Sequence, residues 1–198
     1  MICCPHDGCG DLLVYDDEFH HQIGCAHASC ACPEPGSTFA DSPVGLVCHI
    51  EAAHSIPTIM FWYGVPTLFL VPVPASGSPR LPRVLYGEDG GVFILTVGAL
   101  GLAAVVSFEC VRSAAWLWPQ YTVTMWAKCQ AAPAGSSMMD YSWDTVKMVF
   151  EAKSSVSPAA VALEELTSFF PVPPAYLVGA GPYKQLPFRI CIDKKNRS

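Results

Sequence analysis

From Ile56 onward the chain is written in short apolar runs, several with a two-residue period. Tyr121–Ala127 alternates most cleanly: Tyr121, Val123 and Met125 fall on one side, Thr122, Thr124 and Trp126 on the other. That is the pattern of a strand with one covered face. Thr145–Glu151 likewise sets Val146, Met148 and Phe150 against Lys147, Val149 and Glu151. Thr58–Tyr63, Thr67–Val71, Arg83–Tyr86, Val92–Val97 and Ala103–Cys110 are further apolar runs, mostly rich in β-branched and aromatic residues. Tyr176–Val178 and Phe188–Ile192 read as closing strands. Turn residues separate the runs, among them Gly64-Val65-Pro66 and the five-residue hairpin loop Gly87-Glu88-Asp89-Gly90-Gly91. Pro133–Ser137 reads as a loop, Ser154–Leu163 as weak helix or loop, and Pro171–Pro174 as a stiff connection. The short spacing predicts a mainly β domain over residues 56–198, an antiparallel sandwich or barrel. No internal repeat is evident.

Residues 1–55 break the pattern. Seven of the ten Cys and all six His lie in the first 54 residues. Within them stand Cys9-x11-His21-x3-Cys25 and then Cys30…His49-x4-His54. Thiolates and imidazoles at such offsets are what a tetrahedral zinc ion needs. Interleaved His has no role in a disulfide framework. Val44–Ala53 predicts a short helix carrying His49 towards His54, and Pro33, Pro35 and Gly36 mark a turn between two halves. A small metal-built module over residues 1–55 is expected, with zinc in a closed, structural role.

Charge narrows the function classes. The net charge is −6, and no Lys or Arg precedes Arg80. A finger that grips phosphates draws its affinity from cationic contacts, so nucleic acid is not an expected partner. The composition is 52% hydrophobic and 14% charged, with 18 Pro and 15 Gly. Two long uncharged stretches, Ser55–Pro79 and Gly90–Phe108, are interrupted by Pro or Gly; they read as buried strands and not as membrane helices. The first residues show no basic start and no apolar signal-peptide stretch, so an intracellular compartment, cytoplasm or nucleus, is expected.

No catalytic residue stands out. Cys110, Cys129 and Cys191 lie in strand-like sequence with no His beyond residue 54, and a thiol nucleophile needs a base nearby; they read as core cysteines. The Gly87–Gly91 stretch lacks the Lys and spacing of a phosphate loop. Trp116, Trp118, Trp126 and Trp143 fit either a core or a peptide groove.

The ligand order resembles the zinc-finger region of the seven-in-absentia (SINA/SIAH) ubiquitin ligases, whose two consecutive sites each run C-x6-C-x11-H. Cys9, His21 and Cys25 match the first site. Cys4-Pro5-His6, Tyr15 and Cys30-Ala31-Cys32-Pro33 are similar to the plant branch of that family. So are Val84-Leu85-Tyr86 through Gly90-Gly91-Val92-Phe93, Val172-Pro173-Pro174 through Leu177-Val178, and Arg189-Ile190-Cys191-Ile192-Asp193-Lys194. The resemblance implies a SIAH-type zinc-finger module followed by a TRAF-like antiparallel β-sandwich. It implies binding of protein substrates or adaptors, homo- or heterodimers with SINA-like proteins, and delivery of ubiquitin from an E2 held by a RING domain. No RING lies within this chain, so either E2 recruitment needs an upstream RING or the protein is a RING-less adaptor or competitor of complete ligases. The implied metal ligands are Cys4 (or Cys3), Cys9, His21 and Cys25, then Cys30, His49 and His54. Ser37 stands where the second site of the family has a Cys, which makes a second zinc doubtful; Cys32 or Cys48 are the available substitutes.

Overall fold

The structure, a computed structural model, describes residues 1–25, 27–56, 58–75, 78, 81–112, 119–129, 145–158 and 169–196. Trp116, Trp118, Trp143, the Pro133–Ser137 loop and the end of the Ser154–Leu163 segment lie outside the described residues.

The first residues form two small units of the same plan. β1 (Ile2–Cys3) pairs antiparallel with β2 (Leu12–Leu13), and α1 (Glu18–Gly24) follows. β3 (Cys30–Ala31) then pairs antiparallel with β4 (Ala40–Asp41), and α2 (Pro43–His54) follows. The start of α2 is fixed locally: Gly45 N–H donates to the Ser42 hydroxyl at 3.2 Å, and Pro43 occupies the first turn. Ser55 ends it in the left-handed region at φ 55°, its N–H bonded to the Ile50 carbonyl.

The remaining strands form two larger sheets. β5 (Thr58–Phe61), β7 (Leu81–Gly87), β8 (Val92–Leu100), β9 (Ala103–Val111) and β12 (Lys153–Ser155) run in the order β12-β9-β8-β7-β5, with β13 (Phe169–Val172) also on β9. β6 (Thr67–Pro72), β10 (Gln120–Lys128), β11 (Thr145–Glu151) and β14 (Gln185–Lys195) run in the order β11-β10-β14-β6. One apolar core joins the sheets, with Leu85, Phe93, Leu95 and Phe108 from the first and Phe69, Val123, Met125 and Phe188 from the second. The alternation at 121–127 is seen directly: Tyr121, Val123, Met125 and Ala127 are buried and the residues between them half-exposed. Ring pairs such as Phe93–Tyr121, at 4.8 Å and 87°, cross between the sheets.

Several details depart from the sequence reading. The arrangement is not wholly antiparallel, because β5 runs parallel to β7 and β12 parallel to β9. Between β5 and β7 the chain places β6 in the opposite sheet, and that excursion returns it in the same direction. Tyr176–Val178 is not a strand: Pro173 and Pro174 start a tight turn over Pro174–Tyr176, leaving one bridge, Val178 to Gln185. Of the three later cysteines only Cys110 is in the core, while Cys129 and Cys191 are half-exposed. No helix of the described residues is long and apolar enough to cross a membrane.

The two sheets are also tied at one end by a polar link. Asp89, in the β7–β8 turn, accepts from Tyr63 Oη at 2.7 Å, from Gly91 N–H at 3.0 Å and from Lys194 Nζ at 2.5 Å. Burial pulls the Asp89 carboxyl up, but the Lys194, Tyr63 and Gly91 donors outweigh it and hold the carboxyl below its ordinary range. A carboxylate lowered on folding stabilises above its unfolded pKa, and that stability fades as pH falls through the folded value. Asp89→Asn is expected to cost about 2 kcal/mol in urea unfolding at neutral pH. The difference from the parent should shrink to nothing in strong acid.

Candidate metal centres

The hairpin of each small unit brings two ligand positions to a tight turn, and the helix brings the others. In the first unit Cys4 N–H bonds the Asp11 carbonyl at 3.1 Å, and Cys9 N–H bonds the His6 carbonyl at 3.1 Å. Gly8 sits between at φ 84°, a value that favours glycine. His21 and Cys25, four apart along and just past α1, then face the turn. The donor atoms of Cys4, Cys9, His21 and Cys25 all lie within 4.8 Å of one another.

The spacing fits a tetrahedral zinc ion. Bonds of about 2.3 Å to sulfur and about 2.0 Å to nitrogen place two sulfurs about 3.8 Å apart, sulfur and nitrogen about 3.5 Å, and two nitrogens about 3.3 Å. The Cys4 and Cys25 sulfurs are 3.8 Å apart, and Cys9 Sγ is 3.4 Å from His21 Nε2. Asp11 Oδ2 lies 3.9 Å from His21 Nδ1, the side of the ring facing away from the cluster, as carboxylates behind metal-ligating imidazoles do. Burial raises the Cys25 thiol to about 12, with the His27 N–H opposing and the Cys9 and Cys4 thiols adding to the rise. A dication among these sulfurs reverses that penalty, because it binds the thiolate. Cys3, the alternative first ligand, is exposed and outside the cluster. His20 is exposed, edge-on to the Phe19 ring at 5.9 Å, and also outside it.

The second cluster gathers Cys32, His49 and His54, again within 4.8 Å. Cys32 Sγ is 3.4 Å from His54 Nε2, and the His49 and His54 Nε2 atoms are 3.2 Å apart, matching the sulfur–nitrogen and nitrogen–nitrogen edges of the same tetrahedron. Ser37 Oγ is 3.5 Å from His49 Nε2. The structure does not bring Cys30 to this cluster. Cys30 is paired with Asp41 in the β3–β4 ladder, and its side chain, 1% exposed, packs with Leu46 and Ile50 beneath α2. Burial raises its thiol to about 11, as suits an apolar role. A ligand has to stand at the turn, and Cys32 is the first residue past the strand on that side. Cys48, the other substitute, is exposed.

One signal in the sequence identifies Cys32. A shift of 28 residues carries Cys4-Pro5-x-x-Gly8-Cys9 onto Cys32-Pro33-x-x-Gly36-Ser37, and His21 onto His49. The backbone repeats with it: Cys32 N–H bonds the Phe39 carbonyl at 2.9 Å, Ser37 N–H bonds the Glu34 carbonyl at 3.1 Å, and Gly36 has φ 84°. The two units are therefore an internal repeat, which the apolar pattern alone does not reveal because the shared positions are turn and ligand residues.

Elsewhere the described residues offer no comparable constellation. Cys110 is buried and its thiol is raised to about 12 by burial, Arg112 opposing. Trp126 is half-exposed on the outer side of β10.

No protein-family model matches the chain, and no curated protein matches it; the two clusters rest on geometry, which substitution tests. Cys9→Ser or His21→Ala is expected to unfold residues 1–28 and leave the larger sheets protected in hydrogen exchange; equal loss over both regions would contradict this. Cys32→Ser should lower the metal content measured by native mass spectrometry, whereas Cys30→Ser should leave it unchanged and cost roughly 1–3 kcal/mol of stability.

Proposed function

We propose that this chain is the zinc-binding, substrate-recognition part of a SINA-like ubiquitin ligase. Two SIAH-type fingers would stand as a rigid strut beside a TRAF-like β-sandwich, and the sandwich would bind protein substrates or adaptors. The observation that carries the reading is the tandem of Cys/His turns joined directly to two facing sheets. The ligand order and the sheet motifs that resemble the family support it. A closed four-donor centre, such as the first would offer, holds structure and leaves no position for a protein substrate, so substrate recognition falls to the sheets.

β6 is the candidate recognition edge. Among the described residues it pairs with β14 alone. Its inner side chains, Phe69 and Val71, belong to the core, while Leu68 and Leu70 are 65% and 56% exposed. An open strand with apolar outer positions can take an extended peptide by strand addition, backbone bonds giving affinity and alternate side chains giving selectivity. Ubiquitin transfer itself would come from an E2 held by a RING domain.

The test is functional. Proteins that cross-link to the full chain in cells are identified, and their ubiquitin conjugation is compared with and without the chain. Conjugation that rises with the chain, and falls when Leu68→Asp and Leu70→Asp are combined, is expected. The double variant should keep the parent's melting temperature, because both side chains already face solvent. Unchanged conjugation of every cross-linked partner would overturn the reading.

A further inference from the structure

The second centre differs from the first in one respect that changes its chemistry. Where the repeat places Cys9 in the first unit, it places Ser37 in the second. The Ser37 hydroxyl accepts from Phe39 N–H at 3.4 Å and stands 3.5 Å from His49 Nε2. A serine hydroxyl is neutral at pH 7 and binds zinc poorly beside thiolate and imidazole. Three protein donors remain, Cys32, His49 and His54. Three donors and one vacant vertex is the coordination of zinc sites that exchange a ligand, as opposed to closed structural ones.

Charge and access point the same way. Three thiolates and one imidazole around a dication sum to −1, as in the first centre. One thiolate and two imidazoles sum to +1, so the second centre attracts an anion. Cys4 and Cys25 of the first centre are buried, whereas Cys32, His49, His54 and Ser37 are all half-exposed. The three donors are also held without a fourth. Leu46 and Ile50 fix α2 with no exposure at all, and the Phe39 ring stacks on His49 at 3.9 Å and 10°.

We propose that the second centre holds a zinc ion through Cys32, His49 and His54 and keeps a fourth position that takes an exogenous thiolate. The proposal rests on the reading that the clusters bind metal. Water occupies the position at rest. An incoming thiol gives its proton to solvent, its sulfur replaces the water, and the centre passes from +1 to neutral with no change of oxidation state. The thiolate comes from a small thiol or from a cysteine of another chain.

Cobalt replaces zinc as the spectroscopic probe in the full chain, prepared with a thiol-free reductant. Two bound ions are expected. A small monothiol added to dilute protein should raise the sulfur-to-cobalt charge-transfer absorption by roughly one quarter, one thiolate joining four. The same rise on concentrating the protein without thiol, together with a doubled mass, would assign the thiolate to a second copy. Ser37→Cys should begin at the raised value and ignore added thiol. Ser37→Ala should behave as the parent does. Two bound ions with no response to thiol or to concentration would overturn the proposal, as would loss of the second ion in Ser37→Ala, which would make the hydroxyl a ligand. One bound ion in the parent would overturn it and leave the first centre standing; none would remove both.

Discussion

The architecture turns on the apolar seam between α2 and the outer face of the β7–β8–β9 sheet. Leu46, Val47 and Ile50 meet Val84, Val92, Ile94 and Val111, with Cys30 beneath them, and every one of these is buried. Each large aliphatic side chain removed from water contributes about 1.5–3 kcal/mol. The seam therefore anchors the second unit as firmly as a core helix is anchored. It also explains the burial of β8 on both faces: Phe93, Leu95 and Val97 face the opposite sheet, while Val92 and Ile94 face α2. A sandwich strand with only one covered face would alternate, and this one does not. The Cys/His clusters lie before residue 55 and the larger sheets after it, and the apolar packing runs across that point.

Much of the β region was legible because its strands are short and their periods clean. Gln120–Lys128 and Thr145–Glu151 lie where alternation puts them, since each has one face on the core and one on water. The failures have physical causes. Tyr176–Val178 carries strand-forming side chains, but two prolines before it set a turn and remove the donors a ladder needs. Phe169–Val172 pairs with β9 although Pro171 stands within it, a proline tolerated because it lies in a terminal strand of that sheet. The parallel pairs β5–β7 and β12–β9 arise from where the chain crosses between sheets. Nothing in local periodicity encodes such a crossing.

The metal centres were legible for a different reason. Cys and His seldom recur at fixed offsets unless they share a partner, and Cys4, Cys9, His21 and Cys25 meet as their spacing requires. Cys30 stands at the offset that the family pattern favours, but it is Cys32, two residues on, that gathers with His49 and His54. Burial decides between the two: a side chain 1% exposed under α2 cannot reach the turn. The glycines at φ 84° in both turns mark the ligand-bearing loop more reliably than the count of cysteines does, because a left-handed residue at that point is what folds the second ligand back on the first.

The two units have unequal apolar cores, and the unit with the larger one is the unit that carries a serine at a ligand position. The first has almost no core of its own: Cys4, Cys25, Leu13 and Ala28 are its buried residues, with Cys9 packed against them. Two of the four are candidate ligands, so without a metal one leucine and one alanine are left to hold some two dozen residues against conformational entropy of about 1–2 kcal/mol each. A unit with so little core has most to gain from a closed four-ligand centre, and its cluster offers four donors. The second unit has the seam. Its helix is fixed by Leu46 and Ile50, and His49 is fixed by Phe39. Apolar packing can hold this unit without a metal, so its three donors need no fourth to keep the fold. A centre relieved of its structural duty is free to be incomplete, and an incomplete centre is one that another molecule can complete.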